Sequence, residues 1–179
     1  MDVRTRILDA ALGLLARGGA QELTQPRVSR AAGVRQSHLT YYFPTRADLL
    51  QAVARHSIDA LAAQLQKPKQ TRRAPLSDEL ASAAADKGRV RVMLGLVSAA
   101  DRHRGLKPRM RRFVRELRGR MTPVFEARGL RLDPARVAFL HTVIVGTAVL
   151  QLARDDAEAR REARAVLKMA VKICIASSR

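Results

Sequence analysis

"AAGVRQSHLTYYFPTRADLL" occupies residues 31–50. Small residues Ala31 and Ala32 lead to Gly33, a residue type that takes the left-handed conformation ending many helices. A short polar helix then runs from about Arg35 to Tyr42, and Thr45 with Asp48 has the spacing of a capping box that starts another helix. Just upstream, "ELTQPRVSRAAG" (22–33) predicts a helix with Thr24 as N-cap and Pro26 in its first turn, and with Leu23 and Val28 placed as a hydrophobic staple. Two short helices joined by a tight Gly-containing turn form the helix-turn-helix pattern, here at about residues 24–43.

In the second of these helices Leu39 and Phe43, four residues apart, share a side that can anchor the unit. Arg35, Gln36, Ser37, His38, Thr40 and Tyr41 include the outward positions, whose side chains can donate to and accept from base edges in a major groove. Thr24 and Gln25 offer a hydroxyl and free backbone amides to a phosphate, with Arg27 in the same turn. The competing reading is an ordinary solvated helix face, because the same geometry occurs in proteins that never meet DNA.

The rest of the chain extends the helical reading, with no period-two alternation to suggest strands. "ILDAALGLLARGG" (7–19) puts Ile7, Leu8, Ala11, Leu12, Leu14 and Leu15 on a broad apolar side and stops at Gly18-Gly19. The helix opened by Thr45 should run to about Gln66, and "KPKQTRRAP" (67–75), with two prolines and four basic residues, reads as a loop. Further helices are expected near 77–86, 89–103, 107–128, 134–153 and 156–177, the fourth begun by Asp133-Pro134. The predicted fold is all-α with about nine helices: a helix-turn-helix DNA-binding domain over 1–62 and a second helical domain over 63–179.

The chain has 179 residues, 47% of them hydrophobic, enough for a sizeable core. Lys and Arg outnumber Asp and Glu by 34 to 16, so polyanions head the expected partners. The preponderance of Arg fits bidentate anion recognition and equally an Arg-rich genome. Lone Cys174 excludes an intrachain disulfide and fits a reducing compartment. The four histidines have no metal-ligand spacing, and no nucleophile–base pair, paired-carboxylate motif or glycine-rich phosphate loop is visible. An enzyme is therefore not expected, nor a metal or cofactor. The N-terminus shows no cleavable signal pattern, and the uncharged run 137–153, short for a spanning helix and carrying His141 and Gln151, reads as a buried core helix. The expected location is the cytoplasm, without membrane insertion.

The N-terminal elements resemble those of the tetracycline-repressor (TetR) family of bacterial transcription regulators. "ILDAALGLLARGG", Thr24, "AAGV", "LTYYF" and Arg46 with "DLL" fall in that family's order and spacing over about residues 4–55. The resemblance implies phosphate contacts from Thr24, Tyr41 and Arg46 and base-edge contacts from some of Gln36, Ser37 and His38. The chain departs from the pattern at Arg35, where the family often has Ser, and at Thr40, where it often has Tyr; Arg46 keeps the charge of the usual Lys.

The same resemblance implies that the last two helices dimerise and that the helices before them line an effector cavity. Those helices carry apolar positions at helical spacing, Val145 and Val149 on the first and Ala163, Val166, Leu167, Ala170, Val171 and Cys174 on the second, and two such helices per chain can form a four-helix bundle. Gly146, Thr147 and Ala148 would allow close approach. The helix over 134–153 is apolar nearly all round, so it should be covered on several sides.

Candidate cavity residues are Met93, Leu96, Val97, Met110, Phe113, Leu117, Phe139 and His141, although plain core is the simpler reading of each. Between Arg102 and Arg131 stand 11 Lys or Arg against Glu116 and Glu126. With Arg111 and Arg115 as contacts, this region is either a site for an anionic effector or a solvated cationic face. The function expected is a dimeric, sequence-specific regulator, most simply a repressor released from its DNA operator by a small-molecule effector. The alternative is a basic helical protein that coats nucleic acid without sequence preference or scaffolds an acidic partner.

Overall fold

The computed structural model describes residues 2–66, 74–102 and 104–176. Among them are nine α-helices and no strand: α1 (Val3–Gly18), α2 (Gln25–Ala32), α3 (Gln36–Tyr42), α4 (Arg46–Gln66), α5 (Leu76–Ala84), α6 (Lys87–Arg102), α7 (Lys107–Glu126), α8 (Pro134–Arg154) and α9 (Ala157–Ala176). The all-α expectation is met, and the predicted boundaries differ from these by two residues at most. Of the predicted loop, 67–73 lie outside the described residues.

Packing divides the chain into two units, Met1–Ala60 with Arg91–Phe113, and Leu61–Val90 with Val114–Arg179. In the first, Asp2 caps α1 by accepting from the Arg4 amide at 2.7 Å, and α1 buries Ile7, Leu8, Ala11 and Leu15. Each large aliphatic side chain so covered contributes about 1.5–3 kcal/mol. The helix stops at Gly19, whose φ of 77° needs a residue without a Cβ.

Leu23 and Val28 are fully buried as the staple requires, and α2 closes at Gly33 with φ 62°. Thr45 and Asp48 form the capping box of α4: the Thr45 hydroxyl accepts from the Asp48 amide at 3.1 Å, and the Asp48 carboxylate accepts from the Thr45 amide at 3.2 Å. The Thr45 hydroxyl and the Arg109 guanidinium both hold the Asp48 carboxyl below its usual range. Leu39, Phe43, Leu49, Leu50 and Val53 complete the core, joined by Val92, Leu96 and Phe113.

In the second unit α8 and α9 pack along each other and α5 packs on both. Asp133 caps α8 by accepting from the Arg136 amide at 2.8 Å. The helix ends at Asp155, which adopts the left-handed conformation (φ 49°) and accepts from Lys87 Nζ at 2.6 Å. Arg154 gathers Asp156, Glu158 and Glu162 at the head of α9. Glu79 and Arg128 form a nearly enclosed ion pair, with 7% and 11% of their side chains exposed.

The expectation that α8 is covered on several sides is corrected. Val137, Leu140 and Ala148 are buried, but one chain covers only 28% of the helix's most apolar window. The reason is that α5 and α9 leave Phe139 and Leu150 facing outward. By length and composition α8 is also long and apolar enough to cross a membrane.

Candidate nucleic-acid interface

Helix α3 has seven residues and no side-chain cap, too little to hold a helix in isolation. Its position comes from below: Leu39 is 0% exposed and Phe43 4%. From the side, Arg6 on α1 donates through Nη2 to the carbonyls of Ala32 at 2.8 Å and Gly33 at 3.1 Å, tying α1 to the turn between the two helices. A Cβ on Gly33 would stand 3.2 Å from that guanidinium. Arg4 lies over the Phe43 ring at 5.9 Å. Sequence reasoning missed both arginines, because a contact from residue 6 to residue 33 leaves no trace in local spacing.

With the apolar side held down, Gln36, Ser37, His38, Thr40 and Tyr41 are all exposed, Tyr41 by 81%. The Thr40 hydroxyl donates to the Gln36 carbonyl at 2.6 Å, which commits its proton inside the helix. Gln36 Nε2 donates to Gln25 Oε1 at 3.4 Å, so the starts of α2 and α3 open on one surface. Thr24 is exposed there and makes no capping bond with its hydroxyl, and Gln25 is half-buried. Arg27 pairs with Glu22. Arg35 is the exposed N-cap residue of α3, and exposed Arg46 opens α4. Amides, hydroxyls, amides of Gln side chains and guanidinium groups of this kind suit a polyanion with readable edges.

The other candidate residues are divided between the two packing units. Leu96, Met110 and Phe113 do line one cleft, with Gln51 and Arg109, but its volume is about 10 Å³, room for about one water. Met93 is half-buried and Val97 is 52% exposed. Leu117, Phe139 and His141 belong to the second packing unit, where Leu117 is half-buried and Phe139 is 41% exposed. Arg111 and Arg115 are exposed. On the last two helices Ala163, Leu167, Ala170, Val171 and Cys174 are buried within the chain, Val145 and Val149 are half-buried, and Val166 faces out. Gly146 is exposed while Ala148 is buried.

His141 is held by Arg118, whose Nε donates to Nδ1 at 3.3 Å. Burial, then the Arg118 charge, lowers its pKa. The unfolded chain therefore takes up this proton more readily than the folded one, and the stability present above the unfolded pKa, about 6.5, is lost as pH falls through the lower folded value. We expect the urea midpoint of the wild type to drop more between pH 7 and pH 5 than that of His141→Gln. Parallel curves would mean that the histidine protonates without strain.

Residues 7–53 match the profile of the bacterial regulatory proteins of the tetR family, a span that holds the whole of α2 and α3. A search of curated proteins finds no significant match. Among solved structures, the chain is similar to a member of the TetR family from Streptomyces coelicolor A3 at 26% identity, covering 95% of this chain and 98% of that one with a TM-score of 0.66. It is similar to the multidrug binding protein EbrR complexed with ethidium at 28% identity, covering 94% and 98% with a TM-score of 0.67. A TetR transcription regulator from Haloarcula marismortui ATCC 43049, 21% identical over 96% and 97% of the two chains, shares the fold with a TM-score of 0.69. Residues 7–53 thus match the N-terminal domain of the tetR family of bacterial regulatory proteins, and the fold of nearly the whole chain is similar to that of solved TetR-family structures, which supports a DNA-binding regulator of transcription.

Proposed function

We propose that the protein is a homodimeric repressor, acting in the cytoplasm, whose two α3 helices read the half-sites of an operator and which a small-molecule effector releases. DNA reading is assigned to residues 1–62, and effector binding with pairing to residues 63–179. One observation carries the DNA assignment: α3 turns Gln36, Ser37, His38 and Tyr41 outward from a fully buried Leu39. Phosphate contacts are assigned to Thr24, Tyr41 and Arg46, base-edge contacts to Gln36, Ser37 and His38.

Pairing is supported by the apolar side chains that one chain leaves uncovered, Phe139 and Leu150 on α8 and Val166, Met169 and Ile173 on α9. On α9 the inward positions are already filled, so the partner's contacts fall on the outward ones. Two reading helices related by a twofold axis suit a palindromic site. Release by a ligand is supported by EbrR, solved with ethidium, imidazole and proflavin; the effector acts by binding one spacing of the two reading helices better than the other.

The test is selection of random double-stranded DNA by the purified protein at about physiological salt, followed by sequencing of the bound pool. A roughly palindromic motif is expected; retention without a motif would instead favour charge-driven coating. On the selected site, Gln36→Ala with Ser37→Ala should cost about 1–3 kcal/mol for each base pair read and relax preference there, while Arg46→Ala should weaken all sequences alike and reduce the salt slope by about 1. Equal losses on selected and random DNA for both variants would contradict the assignment.

A further inference from the structure

At the end of α2 the last carbonyls have no following turn of their own helix to supply donors. The backbone satisfies part of this need, since the Gly33 amide donates to the Arg30 carbonyl at 3.2 Å and the Val34 amide to that of Ser29 at 3.0 Å. The Ala32 and Gly33 carbonyls receive no backbone amide among the described residues. Their donor is Arg6, whose Nη2 reaches both, at 2.8 and 3.1 Å. A cation at a helix C-terminus also meets the negative end of the helix dipole, and hydrogen bonds from a charged donor are stronger than neutral ones.

Arg6 is mounted on a rigid element. Asp2 fixes the first turn of α1, accepting from the Arg4 amide at 2.7 Å and from the Thr5 hydroxyl at 3.1 Å, and Ile7, the next residue, is fully buried. Gly33 leaves the guanidinium its place: its φ of 62° favours glycine, and a Cβ there would crowd Nη2. The carbonyl of Gly33 stands three residues before Gln36, the first residue of α3. Buried Leu39 and Phe43 hold α3 down at its middle and far end, while Gln36, Ser37 and His38 stand in its first turn, the one that the Gly33 turn directs.

We infer that Arg6 is a positioning residue for DNA reading: by holding the Ala32 and Gly33 carbonyls to α1 it sets the direction of α3, and with it the fit of Gln36, Ser37 and His38 to base edges. This rests on the DNA reading proposed above. Arg6 is not itself a phosphate contact, because both N–H groups of Nη2 are committed to carbonyls. Recognition groups must be held within about 0.5 Å of their working geometry, whereas attraction to phosphates acts over about 10 Å at ordinary salt. A loosened turn therefore costs discrimination between sequences far more than it costs affinity for DNA as such.

The test compares the wild type, Arg6→Gln, Arg6→Lys and Arg17→Gln in binding to the selected motif and to random duplex over a range of salt. Arg17→Gln removes the same charge from the last turn of α1. Arg6 is half-buried, and Arg6→Gln should keep the helix content of the wild type. It should lower the ratio of specific to random affinity about tenfold, the loss of roughly one base contact, while affinity for random duplex stays within about twofold and its salt slope is unchanged. Arg6→Lys, which keeps a charged donor, should recover most of the ratio, and Arg17→Gln should keep it. Amide exchange without DNA reads the latch directly: the Gly33 and Val34 amides should exchange faster in Arg6→Gln while those of α1 keep their protection. An unchanged ratio, or unchanged exchange at the turn, would overturn the positioning role. So would equal losses on selected and random DNA with a salt slope smaller by about 1, the mark of a direct phosphate contact. A wild type without sequence preference would overturn the DNA reading itself, and the exchange result would still decide whether Arg6 holds the turn.

Discussion

Replacing Leu39 by alanine is expected to lower the free energy of unfolding by about 2–5 kcal/mol, the range for deleting a fully buried leucine side chain from a packed core. The side chain has no exposed surface, and it is the main apolar fixing of a seven-residue helix without a side-chain cap. The loss should therefore be concentrated locally: amides of α3 should exchange with solvent faster than those of α1, whose four buried side chains are untouched. DNA binding should fall with it, since the reading side chains lose their platform. Tyr41→Ala separates the two effects. At 81% exposure its stability should stay within about 0.5 kcal/mol of wild type, while binding to DNA weakens. Urea unfolding with fluorescence or circular dichroism measures the first quantity and amide exchange the second. A Leu39→Ala variant of wild-type stability, or one whose α3 amides stay protected, would mean that α3 is held by something other than its buried face.

Much of this arrangement was legible in the chain because it is local. Gly33 stops α2 with a positive φ, Thr45 and Asp48 close a capping box, and Asp133 caps α8, each through atoms within three or four residues of one another. Helical periodicity likewise separated Leu39 and Phe43 from the outward positions of α3. Contacts between distant segments were not legible. Arg6 on the turn at Gly33, Arg109 on Asp48 and Arg128 on Glu79 join residues 27, 61 and 49 positions apart, and a basic residue on an exposed face looks the same in sequence whether or not a carboxylate awaits it. The apolar stripe of α9 shows the same limit. Spacing identified Ala163, Leu167, Ala170 and Cys174 together with Val166 as one surface, but packing against α5 and α8 uses the first four and leaves Val166 outside.

Glu79→Leu is the second substitution with a large expected cost, about 3–5 kcal/mol. It leaves the Arg128 guanidinium, 11% exposed, with the Ala74 carbonyl at 3.4 Å as its remaining acceptor among the described residues. A cation taken out of water needs a counter-charge; the carbonyl supplies a weak, long hydrogen bond and no charge. The pair itself is worth far less than its rupture costs, because the Coulomb attraction mostly repays desolvation. Arg128→Met added to Glu79→Leu should therefore recover most of the lost stability, bringing the double variant to within about 1–2 kcal/mol of wild type, as replacement of a buried ion pair by apolar side chains often does. The coupling is read from urea unfolding of the wild type, both single variants and the double variant at pH 7. Additive single-variant losses would show that Glu79 and Arg128 do not act as a pair. Non-additivity of about 2 kcal/mol or more would establish that the join between α5 and the segment after α7 depends on a matched charge, and that either partner alone is a liability in the second packing unit.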